Sequence, residues 1–373
     1  MPLKIIHVFF FVALSATSAN GSPEMNIKCI EGTIKNSHLF GKSLAIGADW
    51  IAIGDPGAGL VHIFDKRPPH LEIEVIKSPE LGEKGFGFTL SAGANALFIG
   101  AYSKDGSIES GAVYRYEFYG QIHEIARSDT KDVIGFSLAA EQERVVFGRR
   151  SIGERFVADG TVTVIGPTGR HDYLPDGYKD YFGQSVDVSG DVLVSAAPAI
   201  GVLGSLWLAE IKGGETQGRL LTVPEEFSEL LQRRDGPVAL SEKACVLSGD
   251  SGVLPSQSMA WIGCDPERTQ LLDAQGDVDA AEMFVVFSGV NGSYPDWGLE
   301  HSIRLFRLND AEDGFEFVDL ANRHIKASPG RSVALSPDML LIGAYAGQRG
   351  SRVYVMDPRE INLSETEITL SCN

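Results

Sequence analysis

The chain has 373 residues, of which 43% are hydrophobic and 22% charged, and its formal net charge at pH 7 is −18. Such an acidic chain is repelled by the phosphates of nucleic acid and by anionic membrane surfaces, so we expect neither as a partner. The length would suit two ordinary domains, although a repeat architecture can use it as one.

The N-terminus has the pattern of a signal peptide. Lys4 precedes an apolar run from Ile5 to Leu14, and small residues follow around Ala16 and Ala19. This run is too short for the ~20 apolar residues of a transmembrane helix, so we expect no membrane insertion. Residues 1–22 are therefore predicted to be removed, and residues 23–373 to form one secreted, extracellular domain.

An internal repeat dominates the rest of the chain. A glycine is followed thirteen residues later by a second glycine, and the units recur at intervals of about 40 to 54 residues, the period of a four-stranded propeller blade. A seventh copy has alanine as its second member. The pairs are Gly41 and Gly54, Gly87 and Gly100, Gly135 and Gly148, Gly183 and Ala196, Gly236 and Gly249, Gly276 and Gly289, and Gly330 and Gly343.

Within a unit the hydrophobic period is two, which indicates strands. Ser185 to Val188 and Val192 to Val194 flank a turn at Gly190, and this arrangement predicts a hairpin. A third strand follows a variable loop, and a weaker fourth strand comes after it, as at Leu71 to Ile76. The fold class is therefore all-β, a seven-bladed β-propeller of four-stranded antiparallel blades.

Packing between the blades can also be predicted. The repeated glycines should let neighbouring sheets approach closely, because a glycine brings no side chain between them. The gaps that remain should be filled by the large apolar residues beside the first glycines, namely Phe40, Phe86, Ile134 and Phe182.

The repeat resembles a known family. The runs from Phe40 to Asp55, from Phe86 to Ala101 and from Phe182 to Pro198 are similar to FG-GAP repeats, the units of the integrin α-chain propeller and of many secreted relatives. The resemblance spans nearly all of the mature chain, with units five and six matching least. The resemblance implies the propeller fold. It does not imply one function, because propellers of this family serve adhesion, glycan recognition, scaffolding and, rarely, catalysis.

Calcium loops are a feature of that family which this sequence lacks at the usual place. Integrin-type units often hold the ion between their first two strands, on a loop of alternating Asp or Asn. Here those connections are short, as at Gly47 to Asp49 and Gly93 to Asn95. The eight histidines show no metal-ligand spacing. We therefore predict no metal and no cofactor.

Four cysteines allow three disulfide pairings. Cys245 begins the second strand of unit five and Cys264 ends its third strand, so two antiparallel neighbours should bring them together. Cys29 precedes the first unit and Cys372 is the penultimate residue, and closure of the ring should bring these two together. Cys29–Cys372 and Cys245–Cys264 are the predicted bridges.

Loops on one propeller face are the expected place for a ligand, namely those that join second to third strands and fourth strands to the next blade. We call this side the loop face. Its first candidate site, the basic cluster, would bind an acidic glycan or acidic peptide through arginine forks and aromatic rings. The alternative is that these arginines pair with local Glu154, Asp172 and Asp180. The cluster comprises Arg149, Arg150, Arg155, Arg170, His171, Tyr173, Tyr178 and Lys179.

A second loop offers Tyr294 and Trp297 beside Asn291, which begins an Asn-X-Ser tripeptide. An exposed Trp would contact a sugar or a protein, or else close the mouth of the channel. Asn291 and Asn362 are predicted glycosylation sites of an exported chain.

Two functional hypotheses follow. The first is a secreted, monomeric recognition module that binds a protein or glycan partner through the loop face. The alternative is a secreted lyase or hydrolase with its site at the channel mouth, which would need a carboxylate to converge there with a histidine or tyrosine. Ser, His and Asp are all present, as expected in any protein of this size, but chain position alone cannot assemble them into a catalytic triad.

Overall fold

The computed structural model describes residues 27–32, 39–80, 85–105, 108–128, 132–151, 160–174, 182–197, 205–212, 215–222, 237–248, 258–289, 302–321, 328–345, 351–365 and 367–372. Regular structure in these stretches is almost wholly β-strand, with a short 3-10 helix at Pro358–Glu360. The all-β prediction is confirmed.

The strands form seven antiparallel blades that follow one another along the chain. Blade 1 contains β2 (Ser43–Ile46), β3 (Trp50–Asp55), β4 (Leu60–Asp65) and β5 (Glu72–Lys77). Blade 2 contains β6 (Phe86–Ala92), β7 (Ala96–Asp105), β8 (Ile108–Glu117) and β9 (Ile122–Arg127). In blade 3 the inner strand is interrupted, so β10 (Asp132–Val133) and β11 (Leu138–Glu141) both pair with β12 (Arg144–Ser151), which is followed by β13 (Gly160–Gly166) and β14 (Gly169–Tyr173).

Blades 4 to 6 repeat the same order from the inner strand to the outer strand. Blade 4 contains β15 (Val186–Ser189), β16 (Val192–Ala197), β17 (Ser205–Lys212) and β18 (Glu215–Thr222). Blade 5 contains β19 (Val238–Leu240), β20 (Ala244–Leu247), β21 (Ser258–Ile262) and β22 (Thr269–Leu272). Blade 6 contains β23 (Gln275–Ala281), β24 (Phe284–Gly289), β25 (Ser302–Leu308) and β26 (Phe315–Ala321).

Blade 7 closes the ring with strands from both ends of the chain. It contains β27 (Ser328–Ser336), β28 (Met339–Tyr345) and β29 (Arg352–Met356), and its outer strand is β1 (Lys28–Glu31). A last strand, β30 (Glu367–Thr369), lies parallel to β26 as a fifth strand of blade 6. The first and last described strands are thus held in blades 7 and 6.

The repeated glycines sit where neighbouring blades touch. A Cβ on the second-strand glycine Gly148 would lie 1.8 Å from the carbonyl oxygen of Gly183 in the next blade. Gly54 stands in the same relation to Gly87, with a Cβ-to-oxygen separation of 2.3 Å. The first glycines also need their own conformation, since Gly87 and Gly183 have φ values of 82° and 80°, in the left-handed region.

Large apolar side chains fill the space beside these glycines, as predicted. Phe40, Phe86, Ile134 and Phe182 are all at most 3% exposed. The core is therefore a ring of apolar layers between the blades, and each layer mixes residues of two neighbouring sheets. One such layer joins Tyr114 and Leu97 of blade 2 to Val61 of blade 1.

Both predicted disulfides are present. Cys29 is bonded to Cys372 with a Cα–Cα distance of 5.5 Å, and Cys245 to Cys264 with 5.0 Å. Cys245 lies in β20, and Cys264 follows the end of β21 in a left-handed turn. Disulfides of this kind indicate an oxidising compartment.

Candidate binding site at the channel mouth

The inner strands of the seven blades surround a central channel with a cavity of about 720 Å³. Each inner strand is a terminal strand of its sheet, and its unpaired edge faces the channel. Since the chain enters each inner strand from the loop face, residues that directly follow a repeated glycine lie at the channel mouth on that face. These residues include Lys42, Phe88, Phe136, Gln184 and Asp277.

Three aromatic rings and two cations run around part of this mouth. The ring centroid of Tyr102 lies 5.0 Å from that of Phe88 and 6.2 Å from that of Phe136. The ammonium of Lys42 lies 4.9 Å from the Phe88 centroid, and the guanidinium of Arg150 lies 5.5 Å from the Phe136 centroid. We call this group the aromatic arc, and all five of its side chains are partly exposed.

The chemistry of the aromatic arc favours a ligand with both a flat face and negative charge. Half-buried phenyl rings offer apolar surface to a sugar ring or a side chain. Cations held over ring faces are oriented there by the ring quadrupole, and guanidinium forks bind carboxylate or sulfate groups well. The arc spans blades 1 to 3, so a ligand there would contact residues of three blades at once.

Gln184 and Asp277 contribute polar groups to the same mouth. The Gln184 side-chain oxygen is buried and has no hydrogen-bond partner in the described part of the chain. Burial raises the pKa of Asp277, and the charge of Lys42 opposes this rise. The mouth therefore combines an acceptor, a carboxyl group with a raised pKa and two cations.

Two carboxyl groups farther down the channel bridge neighbouring blades. Asp187 accepts hydrogen bonds from the backbone N–H of Val188 at 2.8 Å and of Leu240 in blade 5 at 2.7 Å. Asp279 accepts from Ala280 at 2.8 Å and from Leu335 in blade 7 at 2.7 Å. These bonds satisfy backbone N–H groups on the channel side of the inner strands, which is a structural role.

Burial dominates the ionisation of both groups. It raises the pKa of Asp187 to about 8, with a further contribution from the negative charges of Asp279 and Glu141. Burial likewise raises the pKa of Asp279 to about 7, and nearby Asp277 adds to the shift. The backbone N–H donors act in the opposite direction in both cases.

The basic cluster has a different geometry from the one expected. Arg170, His171 and Tyr173 lie on the outer strand β14 and not in a loop, because Gly169, with φ of 109°, turns the chain back beside β13. The assignment of this segment to a loop was wrong. Arg149 pairs in register with Thr161 and Arg170 with Ile165, so their backbones are four residues apart along β13.

Asp172 lies within reach of both arginines. Its carboxylate is 3.3 Å from the Arg170 guanidinium and accepts a 2.6 Å hydrogen bond from Thr163. Burial raises the pKa of Asp172, but the bonds from Thr163 and Arg170 and the charge of Arg149 outweigh it, and the pKa is lowered. Arg170 thus has the local acidic partner that the alternative interpretation foresaw.

Other predicted site residues lie outside the described residues, namely Arg155, Tyr178, Lys179, Asn291, Tyr294 and Trp297. Asn362 is described and exposed, in a turn where its side-chain oxygen accepts from the Ser364 hydroxyl at 2.8 Å. The first-to-second-strand connections are as short as predicted, for example 47–49 and 93–95. In the described stretches no three His, Cys, Asp or Glu side chains could hold a metal ion together.

Most of the channel-mouth residues were not among the predicted site residues, although the sequence carries a signal for them. Lys42, Phe88, Phe136, Gln184 and Asp277 each follow directly after a repeated glycine. Their side-chain types differ from blade to blade, so no motif marks them. Their common position in the repeat is enough to predict that they share one end of the channel.

Comparison with known proteins supports the fold. The sequence matches no family model and no curated protein. Among solved structures, a streptogramin B lyase aligns with a TM-score of 0.54 and 10% identity, covering 89% of this chain and 98% of that one. A prolyl endopeptidase aligns with a TM-score of 0.57 and 10% identity, covering 94% of this chain and 49% of that one.

Identities this low establish the fold alone. With seven four-stranded antiparallel blades in a ring, the chain is a seven-bladed β-propeller. None of its helices in the described stretches is long and apolar enough to cross a membrane.

Proposed function

We propose that this protein is a secreted recognition module of the FG-GAP type that binds an acidic partner, a glycan or a protein segment, at the channel mouth on its loop face. The observation that carries the proposal is the aromatic arc, in which Lys42 and Arg150 lie over two of three adjoining rings. Such an arrangement on a chain with net charge −18 is a local departure from its acidic surface.

Export is part of the same proposal. Residues 1–22 have the pattern of a signal peptide, and residues 23–373 would form one extracellular propeller domain. The two disulfides support an oxidising compartment. Export would also make Asn291 and Asn362 available for glycosylation.

The polar groups of the channel favour binding over the alternative of catalysis. Asp187 and Asp279 hold backbone N–H groups of neighbouring blades, so their oxygens are occupied by the fold. Tyr102 lies at the mouth beside Phe88 and Phe136, and none of the described residues that line the channel is a histidine. No hydrogen bond joins Tyr102 to a carboxyl group in the described residues, so the acid–base pair that a lyase or hydrolase site would need is not assembled there.

An array of sulfated, carboxylated and neutral glycans, together with acidic peptides, tests the proposal. We expect binding to acidic ligands that weakens as salt is raised, because ionic contacts at the surface are screened. Phe136→Ala and Arg150→Ala should each lower the affinity by about tenfold, the effect of one lost cation–π or stacking contact.

Matched variants make this result specific. Phe136→Trp keeps an aromatic face and should retain binding, whereas Arg170→Ala removes an outer-strand arginine that pairs with Asp172 and should leave it unchanged. Thermal unfolding would confirm that each variant is folded. Equal losses for Arg150→Ala and Arg170→Ala would favour the basic cluster over the aromatic arc, and no binding to any acidic ligand would contradict the function itself.

A further inference from the structure

Exposed hydrophobic side chains concentrate at one place on the rim of the propeller. Leu71, Ile73 and Val75, in and directly before the outer strand β5, are 65%, 47% and 37% exposed. Tyr119, in the turn between β8 and β9, is 83% exposed, and its N–H is bonded to Tyr116, which donates to Glu74 of β5. We call these four residues the rim patch.

The rim patch coincides with an open strand edge. β5 is the last strand of blade 1, and no strand of the described residues pairs with its outer side. Its outward N–H and C=O groups can therefore template a further strand. Blade 2 differs, because its outer strand β9 exposes polar side chains such as His123 and Glu124.

The same propeller already accepts a fifth strand at another blade. The outer strand β26 of blade 6 also carries an exposed aromatic residue, Phe317. There β30 adds in parallel, with Asp319 opposite Glu367 and Ala321 opposite Thr369. Addition of a strand to an outer edge is thus compatible with the geometry of these blades.

Charge at the rim indicates the chemistry of the occupant. Glu72 and Glu74 alternate with the exposed apolar residues along β5. Glu72 is held at 2.6 Å from the His62 ring nitrogen, and Glu74 accepts a 2.5 Å hydrogen bond from Tyr116. Burial, and then this bond to Glu74, raise the pKa of Tyr116 to about 12, so it remains a donor and keeps Glu74 in place.

We propose that the outer edge of β5 is a docking site for an extended segment of a partner protein in which apolar and basic residues alternate. The segment adds to blade 1 as a fifth strand. Main-chain hydrogen bonds supply affinity, and the apolar side chains pack on the rim patch while basic ones face the glutamates. A second copy of this chain fits less well, since each copy carries a net charge of −18.

A random peptide library displayed on phage is the probe for this edge. It is panned on the wild-type protein after depletion on the Ile73→Lys variant. We expect enriched peptides in which apolar residues alternate with Lys or Arg. The synthesised peptides should bind Ile73→Lys and Leu71→Lys at least about tenfold more weakly than wild type, because a charge on the strand edge opposes pairing.

Two controls separate strand addition from general attraction. His123→Lys places the same charge on the outer strand of blade 2 and should leave binding unchanged. Peptides N-methylated at alternate residues keep their side chains but lose N–H donors, and they should bind at least about tenfold more weakly.

Three results would overturn the proposal: no enrichment, enriched peptides without alternation, or equal binding of N-methylated peptides. Light scattering that shows a wild-type dimer and an Ile73→Lys monomer would assign the edge to a second copy and would equally reject a partner segment.

Discussion

Asp187 and Asp279 make the stability of the folded propeller depend on pH. Both pKa values lie above the usual value of 3.8 for aspartate, at about 8 and about 7. Between the unfolded pKa of 3.8 and the folded values of about 7 and about 8, the folded state therefore binds more protons than the unfolded state. The stability that protonation contributes is complete below about pH 4 and is lost as the pH rises through the folded pKa values.

Thermal unfolding should reflect this coupling. We expect the melting temperature to fall by roughly 5 °C between about pH 5.5 and about pH 8.5, because two carboxyl groups ionise in a buried channel. Asp279→Asn removes one ionisable group and should flatten this slope, even though loss of an acceptor for Leu335 lowers stability overall.

The matched control is Asp191→Asn, which removes an exposed carboxylate on a surface turn, paired with Arg144 at 3.1 Å. It should leave the pH slope unchanged. A melting temperature that rises from pH 5.5 to pH 8.5 in the wild type would contradict the raised pKa values.

The second-strand glycines contact strands of neighbouring blades, so replacing one of them by a residue with a side chain should destabilise the fold. The hydrogen-bonded backbone of Gly183 lies where a Cβ on Gly148 would fall, and backbone moves less easily than a side-chain tip. Gly148→Ala should therefore lower the free energy of unfolding by about 2 to 4 kcal/mol.

Gly166→Ala is the control for this prediction, since its Cβ would meet only Arg144 side-chain atoms at 3.7 Å or beyond. It should change stability by about 0.5 kcal/mol or less. Denaturant midpoints measure both variants, and equal midpoints would show that the blades can separate enough to admit a methyl group.

Strands that repeat could be predicted from the sequence, whereas strands that break the repeat could not. The glycine spacing and the period of two predicted the hairpin β15–β16 and the fourth strand β5. β1 and β30 were missed because each has only three or four residues outside any unit, and their pairing depends on closure of the ring. Arg170 to Tyr173 was assigned to a loop because charged and polar residues on an exposed outer strand resemble one.

Closure of the whole ring depends on a seam that the two ends of the chain share. β1 completes blade 7 through four register pairs with β29, and β30 adds three pairs to blade 6. The Cys29–Cys372 bridge links β1 to the residues that follow β30, across 343 residues of sequence. The Cys245–Cys264 bridge spans only 19 residues within blade 5.

The two disulfides should therefore differ in what their removal does. On the chain-entropy model, the terminal bridge restricts the unfolded chain by about 6 kcal/mol and the local bridge by about 3 kcal/mol. Replacing Cys29 and Cys372 by serine should lower the free energy of unfolding by about twice as much as replacing Cys245 and Cys264. It should also speed hydrogen exchange in β1 and β30, which are then held only by non-covalent contacts.

Blades 2 to 5 should keep their exchange rates in the terminal double variant, because their strands are paired without help from the chain ends. The Cys245 and Cys264 double variant is the matched control, and it should leave β1 and β30 protected. Since β1 is the outer strand of the last blade, its release exposes the edge of β29 and opens the seam. If β1 and β30 remained protected without Cys29 and Cys372, strand pairing alone would close the ring, and the terminal bridge would act only on the unfolded chain.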